Sequence, residues 1–476
     1  MRYLALCCDY DGTLAEAGTV SDATITALKK VRASGRKLLL VTGRITAELK
    51  TVCSCLELFD WVVAENGATL YNPATREERL LAERPPDVFI QTLRERGVQP
   101  LSIGRVVVAA WQPHETVLLT AIRDLGLELQ VIFNKDAVMV LPGGVNKASG
   151  LAVALQALNL SPHNIVGIGD AENDHAFLGS CEVAVAVDNA LPLLKAAADF
   201  VTCNARGNGV VELIEELLAD DLRSRESRLL RHRIVLGVEE SGEEVQLHIR
   251  DFNALLVGDS GADNFVVVRV LLERLTAQGY NFCVIDTQGE CGALEGAMTL
   301  GNSTQAPTLQ ETQQLLSAYG ANFIANLAAM ESSNRVEFCL ALLQEIQKAR
   351  SHSGRPHCLV VGEIDELLAP HPERGLTMPL AGVLLTSTRV QAIGAATLNA
   401  ITSVLLIGKG RHKALTEFGA ITGVAAAPLV VSDLKDGEAV YWPVSAGQTP
   451  RKITWSAAGD ENRAPTQNLR ATNGAV

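Results

Sequence analysis

Short β-rich apolar runs alternate with amphipathic segments through the first 220 residues, at Tyr3–Cys8, Lys37–Val41, Trp61–Ala64, Ile165–Ile168 and Val183–Val187. Alternation of this kind is what a parallel sheet joined by crossover helices produces, and it predicts an α/β, Rossmann-like core. Between Asn72 and Leu141 the order changes. A helical stretch from Asp87 to Arg96 leads to a strand over Arg105–Ala110, then to a helix from His114 to Leu125 and paired strands around Leu129–Phe133 and Ala137–Leu141. This segment reads as an inserted α+β lid.

Composition narrows the function. The 476 residues are about three domains' worth of chain at roughly 150 residues each. A net charge of −13 and an aromatic content of 4% argue against nucleic acid as a partner, since the chain lacks both a basic surface excess and a base-stacking platform. No apolar run approaches the roughly 20 residues that span a bilayer, and the first residues (MRYLALCCDYDGTL) meet an Asp pair before a signal-peptide core forms, so a cytoplasmic protein without a membrane partner is expected. The 10 cysteines are scattered without zinc-ribbon spacing, the usage of reduced, buried thiols.

Residues 222–233 (LRSRESRLLRHR) repeat Arg without an apolar stripe and read as a solvated linker over 221–233. Beyond it a hairpin over Ile234–Ile249 precedes a second α/β pattern. Its runs are Ala254–Val257, Phe282–Ile285, Cys358–Val361, Gly382–Thr386 and Ser403–Ile407. Residues 446–476 are polar and predict a disordered tail.

The chemistry concentrates at strand ends, where open α/β sheets bind ligands. Asp9 and Asp11 in Cys8-Asp9-Tyr10-Asp11-Gly12-Thr13-Leu14 are two residues apart, on one side of an extended strand. Two carboxylates held together repel unless a cation or a shared proton lies between them, and a hard ion such as Mg²⁺ meets that need. Taken alone, an Asp-x-Asp-Gly turn is equally a helix-entry loop. Three further elements weigh against that reading. Val41-Thr42-Gly43-Arg44 ends the second strand with a hydroxyl and a glycine suited to close anion approach. Lys147 stands at a helix start after Gly143-Gly144, and Gly169-Asp170-Ala171-Glu172-Asn173-Asp174 brings two more carboxylates to a tight turn.

With these four elements in order (DYDGTL, VTGR, the Lys of GVNKASGL and GDAENDHAFL), residues 1–220 resemble the haloacid dehalogenase superfamily, specifically the Cof-type (class IIB) phosphatases, a group close to sucrose-phosphate phosphatases. AENGA at 64–68 supports the likeness. The resemblance implies a phosphatase core over 1–72 and 142–220 with an α+β cap over 73–141. It implies Asp9 as the nucleophile that forms an aspartyl-phosphate, Asp11 as the general acid and then base, and Thr42 and Lys147 as holders of the phosphoryl oxygens. It further implies Mg²⁺ on Asp9, Asp170, Asp174 and the Asp11 carbonyl, with Gly43, Arg44 and Asn173 touching substrate. Arg105, Asn134 and Lys135 are candidates to face the ligand from the cap, set against solvation, the commoner fate of polar residues on a lid.

Residues 234–430, within a second domain over 234–445, resemble the HerA/FtsK-type P-loop ATPases, carried by Leu255-Leu256-Val257-Gly258-Asp259-Ser260-Gly261 and by Leu359-Val360-Val361-Gly362-Glu363. The positions that need Gly-Lys-Ser/Thr read Asp263-Asn264-Phe265, and the usual Walker B aspartate is Gly362. A degenerate P-loop-like domain without ATP hydrolysis is expected.

The sequence therefore predicts a Mg²⁺-dependent phosphatase for a small phosphorylated metabolite, with sugar phosphates as the leading class. A regulatory or assembly domain follows it, through which the chain would form a homo-oligomer. A phosphosugar mutase, and a regulatory nucleotide-binding protein with secondary phosphatase activity, are the alternatives.

Overall fold

The computed structural model describes residues 1–249, 252–368, 381–409, 411–424, 434–444 and 448–455. The chain divides into two compact units, Met1–His232 with Ser351–Gly354, and Arg233–Arg350 with Arg355–Val476.

The first unit is built on an eight-stranded sheet in the order Phe200–Val201, Val183–Ala186, Ile165–Gly169, Ala5–Cys8, Lys37–Val41, Trp61–Ala64, Thr69–Tyr71 and Glu78–Leu80. The first six strands are parallel and the last two turn back antiparallel. The parallel strands are buried along their lengths, as strands covered on both faces must be. After Ala5–Cys8 the chain builds outward to one side, and from Ile165 it builds to the other. The ends of Ala5–Cys8 and Ile165–Gly169 therefore flank the point where strand order reverses, which is where such sheets open a crevice.

The insert is a four-stranded antiparallel sheet ordered Leu129–Asn134, Ala137–Pro142, Val108–Trp111, Ser102–Ile103. Its helices, Asp87–Glu95 and Glu115–Asp124, share a core with one face of this sheet through Phe89, Leu93, Leu118 and Val138. Two limits differ from the sequence expectation of a cap over 73–141. Glu78–Leu80 completes the edge of the core sheet, and Pro142 still belongs to the cap strand.

Residues 221–233 are not a solvated linker. Leu222 and Leu229 are buried in the core of the first unit, and Arg225 and Arg231 pair with Glu216 and Asp199. An Arg-rich stretch with two apolar anchors looks solvated by composition, yet its guanidinium groups reach carboxylates and carbonyls of the core.

The second unit carries an eleven-stranded sheet. Seven parallel strands run in the order Ser403–Leu406, Asn253–Val257, Val383–Ser387, Cys358–Val361, Phe282–Asp286, Phe323–Asn326, Met298–Leu300. Beside Ser403–Leu406 the sheet continues antiparallel through Glu438–Pro443, Arg451–Thr454, Ile234–Glu239 and Glu244–Leu247. Arg451–Thr454 thus corrects the expectation of a tail from 446: Ile453 is buried in the sheet, and Arg451 and Lys452 pair with Glu239 and Glu438. Residues 456–476 lie outside the described residues. Among the described residues, no helix is long and apolar enough to cross a membrane.

Candidate active site

Asp9 follows directly on Ala5–Cys8, and its backbone N–H donates to the Ile168 carbonyl at 3.0 Å, so the strand pairing continues up to the acid. Asp9 is 4% exposed. Lys147 is the first residue of the helix Lys147–Ala157, which Asn146 caps through a reciprocal pair of bonds with Ser149. That cap aims the Lys147 ammonium, 1% exposed, to 2.6 Å from both Asp9 Oδ1 and Asp174 Oδ1. Asp174 accepts the N–H groups of Asp170 and Ala171 at 2.8 and 2.9 Å on its other oxygen, which closes the loop after Ile165–Gly169. Asp170 accepts the Thr13 hydroxyl at 3.2 Å. One carboxylate oxygen each from Asp9, Asp170 and Asp174 lies within 4.8 Å of the others.

The charges in this crevice work against one another. Burial, then the Asp174 carboxylate, push the Asp9 carboxyl well above the usual carboxylate range, and Lys147 opposes them. Burial also raises Asp170, against the pull of Lys135. For Lys147, burial disfavours the ammonium, but Asp174 and Asp9 outweigh it and hold its pKa above the ordinary lysine value. The result is a dry carboxylate cluster whose oxygen donors suit a hard divalent ion.

The remaining predicted residues divide. Thr42, 1% exposed, ends Lys37–Val41 and accepts the Arg44 N–H at 3.1 Å on its hydroxyl. Gly43 lies beneath Met139 of the cap and Asn66, which leave little room for a side chain. Asn173 donates to Asn66 at 2.8 Å, and its own buried side-chain oxygen has no hydrogen-bond partner. Asp11 departs from the group: its carboxylate takes two bonds from Arg44, at 2.6 and 2.8 Å, instead of joining the other three acids. The arginine fork attracts the Asp11 carboxylate, whereas three acids of like charge repel it. Gly12, with φ near +87°, is held so close to Asp170 and Lys135 that a Cβ would strike both.

Of the cap residues, Lys135 reaches the core. It sits at the tip of the hairpin Leu129–Asn134/Ala137–Pro142, with its Nζ 2.8 Å from Asp170 Oδ2 and its backbone N–H 3.2 Å from Glu172. Its side chain keeps 48% exposure, so the ammonium stands at the mouth of the site. Asn134 lies on the same hairpin, paired with Ala137. Arg105 presents its backbone instead. The fully buried Glu65 accepts the N–H groups of Arg105, Val106 and Val107 at 2.9, 2.8 and 2.8 Å, which ties the cap to the core. Glu65 and Asn189, which donates to the Gly12 carbonyl at 2.8 Å, were not among the residues expected to act here. The signal for Glu65 was the AENGA segment, read only as a supporting pattern.

In the second unit the turn Gly258–Gly261 leads from Asn253–Val257 into the helix Gly261–Ala277. Asn264, fully buried, donates to the Ser387 carbonyl at 3.2 Å and to Glu363 at 3.4 Å. Phe265 packs against Gly362, and the Glu290 carboxylate presses on Gly261. Glu363 is buried and its carboxyl is raised above the usual range by that burial. A cavity of 510 Å³ opens beside the turn, lined by Asp259, Arg389, Lys413 and Glu417 among others. Its two cations are paired, Arg389 with Asp365 at 3.2 Å and Lys413 with Glu417 at 3.7 Å.

The pattern of the haloacid dehalogenase-like hydrolase family matches residues 6–108 and 122–214, within the first unit. Phosphoglycolate phosphatase of Methanothermobacter thermautotrophicus is 29% identical over 226 residues, which is 46% of this chain and 99% of the relative. Phosphoglycolate phosphatase 2 of Saccharolobus solfataricus is 30% identical over 218 residues, 44% of this chain and 91% of the relative. Among solved structures, a haloacid dehalogenase-like hydrolase from Bacteroides thetaiotaomicron is 20% identical with a TM-score of 0.39, covering 45% of this chain and 99% of its own.

Proposed function

Because this chain belongs to the haloacid dehalogenase-like hydrolases and is a phosphoric monoester hydrolase, we propose that its first unit hydrolyses a small phosphomonoester through an aspartyl-phosphate on Asp9. The observation that carries this reading is Lys147, buried at 2.6 Å from both Asp9 and Asp174 where the strand order reverses. Asp9 attacks phosphorus, and Asp11 gives a proton to the departing alcohol. Asp11 then takes a proton from the water that cleaves the acyl phosphate. Thr42 and Lys147 hold the phosphoryl oxygens. Arg44, now clamped on Asp11, turns to the anionic substrate, and the Asp11 carboxyl is released for proton transfer.

Mg²⁺ fits the donor set of Asp9, Asp170 and Asp174, which is all oxygen and carboxylate, and when bound it supplies positive charge against the phosphoryl group. Asp174, through the N–H groups of Asp170 and Ala171, keeps that set in place.

For the substrate, the resemblance to sucrose-phosphate phosphatases points to a sugar phosphate, and two relatives bear the name phosphoglycolate phosphatase. Lys135 favours a small ester with a second anionic group, because the cap tip brings an ammonium to the side of the site where the organic part must lie. The test is phosphate release from phosphoglycolate and a panel of sugar phosphates, with Mg²⁺ or with chelator. Metal-dependent release by the wild type that disappears in Asp9→Asn is expected. Release untouched by Asp9→Asn would overturn the mechanism.

We read the second unit as a P-loop-like scaffold that does not hydrolyse ATP and serves regulation or assembly. Its parallel strand order, with Asn253–Val257 central and a glycine turn entering a helix, supports the scaffold. Asn264 in the lysine position, Phe265 in the hydroxyl position and the carboxylates of Glu290 and Glu363 around the turn support the loss of chemistry, since none of these four side chains offers a phosphate positive charge. A calorimetric titration of the full chain with Mg-ATP should be silent.

A further inference from the structure

We propose that His163, Glu182 and His232 form a second metal site, for a borderline transition ion of the Zn²⁺ class, at the opposite edge of the first unit's sheet from Asp9. His163 lies two residues before Ile165–Gly169 and Glu182 immediately precedes Val183–Ala186, so both stand at the N-terminal ends of the strands whose C-terminal ends approach the phosphatase crevice. His232 is the last residue of the unit before the chain passes into the second. One donor atom of each residue lies within 4.8 Å of the others, with His163 and Glu182 buried at 5% and 4% exposure and His232 half-buried.

Backbone contacts hold the three donors in place. The Glu182 N–H donates to the Pro162 carbonyl at 3.0 Å, which stitches the two strand entries together, and the His163 N–H donates to the Ser161 hydroxyl. Arg231 fixes the segment carrying His232 through Asp199 at 2.9 Å and the Cys181 carbonyl at 3.0 Å. The imidazole of His232 faces the Cys181 carbonyl with Nε2 at 3.2 Å. A carbonyl only accepts, so Nε2 carries the proton and the lone pair is on Nδ1. His163 Nδ1 lies 2.7 Å from Glu182 Oε2. The backbone carbonyl on His232 is the outer contact that metal-bound histidines use, and the closeness of His163 Nδ1 and Glu182 Oε2 sets two donor atoms side by side where one ion can share them.

The donor chemistry selects the ion. Two imidazoles with one carboxylate suit Zn²⁺, Co²⁺ or Ni²⁺, while Mg²⁺ prefers the all-oxygen set around Asp9. Three protein ligands leave a coordination position for water on the half-exposed side of His232. An ion held here would fasten the last residues of the first unit to its core, so its effect is on the stability of that unit and not on the reacting atoms.

The experiment uses the full chain in Mg²⁺ buffer, in the wild type, Asp9→Asn, His232→Ala and His232→Cys. One equivalent of Zn²⁺ retained after dialysis by the wild type and Asp9→Asn, and lost in His232→Ala with Mg²⁺-dependent phosphatase turnover unchanged, is expected. Co²⁺ should give visible ligand-field bands in the wild type. His232→Cys should add a near-ultraviolet thiolate-to-metal charge-transfer band, a signature that does not depend on His232→Ala folding. Zinc retained equally by His232→Ala, no zinc retained by the wild type, or no new band in His232→Cys would overturn the site.

Discussion

Both units end a central parallel strand in a glycine-containing loop with buried acid nearby, yet among the described residues only the first loop sets a buried ammonium between its acids. After Ala5–Cys8, Asp9 and Asp174 share the ammonium of Lys147. After Asn253–Val257, the corresponding neighbourhood holds Glu363, whose carboxylate is served by neutral donors, the Thr386 hydroxyl at 3.1 Å and the Asn264 amide at 3.4 Å. A strand end locates a site, but the charge of one side chain decides whether its acids are poised to work or merely stored. A neutral donor satisfies a carboxylate without offering an anionic ligand anything.

The largest effects that could break this comparison belong to Lys147. In Lys147→Met, Asp9 and Asp174 stay buried without their cation, a loss of about 3–5 kcal/mol, and turnover should fall at least ~10²–10³-fold. The folded pKa of Lys147 is raised, so its stabilisation is fully present below 10.5 and is lost as pH rises through the folded value. Asp9→Asn should behave oppositely in stability while also abolishing turnover. The Asp9 pKa is raised, so its contribution to the fold is fully present below the ordinary carboxylate value and is lost as pH rises through the folded pKa. Removing its charge leaves Lys147 paired with Asp174. Urea unfolding at pH 7 separates the two variants, and an equal destabilisation of both would show that the Lys147–Asp9 pair is structural.

How far this site could be read from the chain follows from the range of its contacts. Asp9, Thr42, Lys147 and Asp170 are each visible because a strand end or helix start carries them, and those are local patterns. That Lys147 would be fully buried between Asp9 and Asp174, residues 138 and 27 positions away, is a tertiary fact with no local trace. The same holds for Glu65, whose three bonds run to backbone N–H groups about 40 residues on, and for Asp11, whose pairing with Arg44 overrides its spacing from Asp9. Composition failed where long side chains decide the outcome. The Arg-rich 221–233 segment is fastened by guanidinium groups, and Arg451–Thr454 is a strand because Glu239 and Glu438 receive its basic residues. The alternating apolar runs of both units, by contrast, are legible because burial on two faces leaves them no other residue types.

Lys135 sharpens the comparison at intermediate scale, since it is a further cation that the first unit brings to its acids, here Asp170. Its half-exposed ammonium contributes little to folding, so Lys135→Met should leave the unfolding midpoint nearly unchanged. Its proposed work is on the substrate. KM for an ester with a second anionic group should rise about tenfold, ~1.4 kcal/mol, with kcat little altered and neutral sugar phosphates unaffected. An equal rise for neutral and acidic esters would assign Lys135 to cap closure instead of recognition.

The smallest effect tests the other side of the comparison, in the second unit. Burial raises the Glu363 pKa, so the residue favours the fold only below its ordinary value of 4.5, and that contribution is lost as pH rises through the folded pKa. Glu363→Gln keeps an acceptor for Thr386 and Asn264 and removes the buried charge. The variant should therefore unfold at a higher temperature than the wild type at pH 8, with the difference closing toward pH 4. Phosphatase turnover should not change. A drop in stability at pH 8 would mean that Glu363 is matched by positive charge after all, and the two strand-end loops would then be alike in the one respect that separates them here.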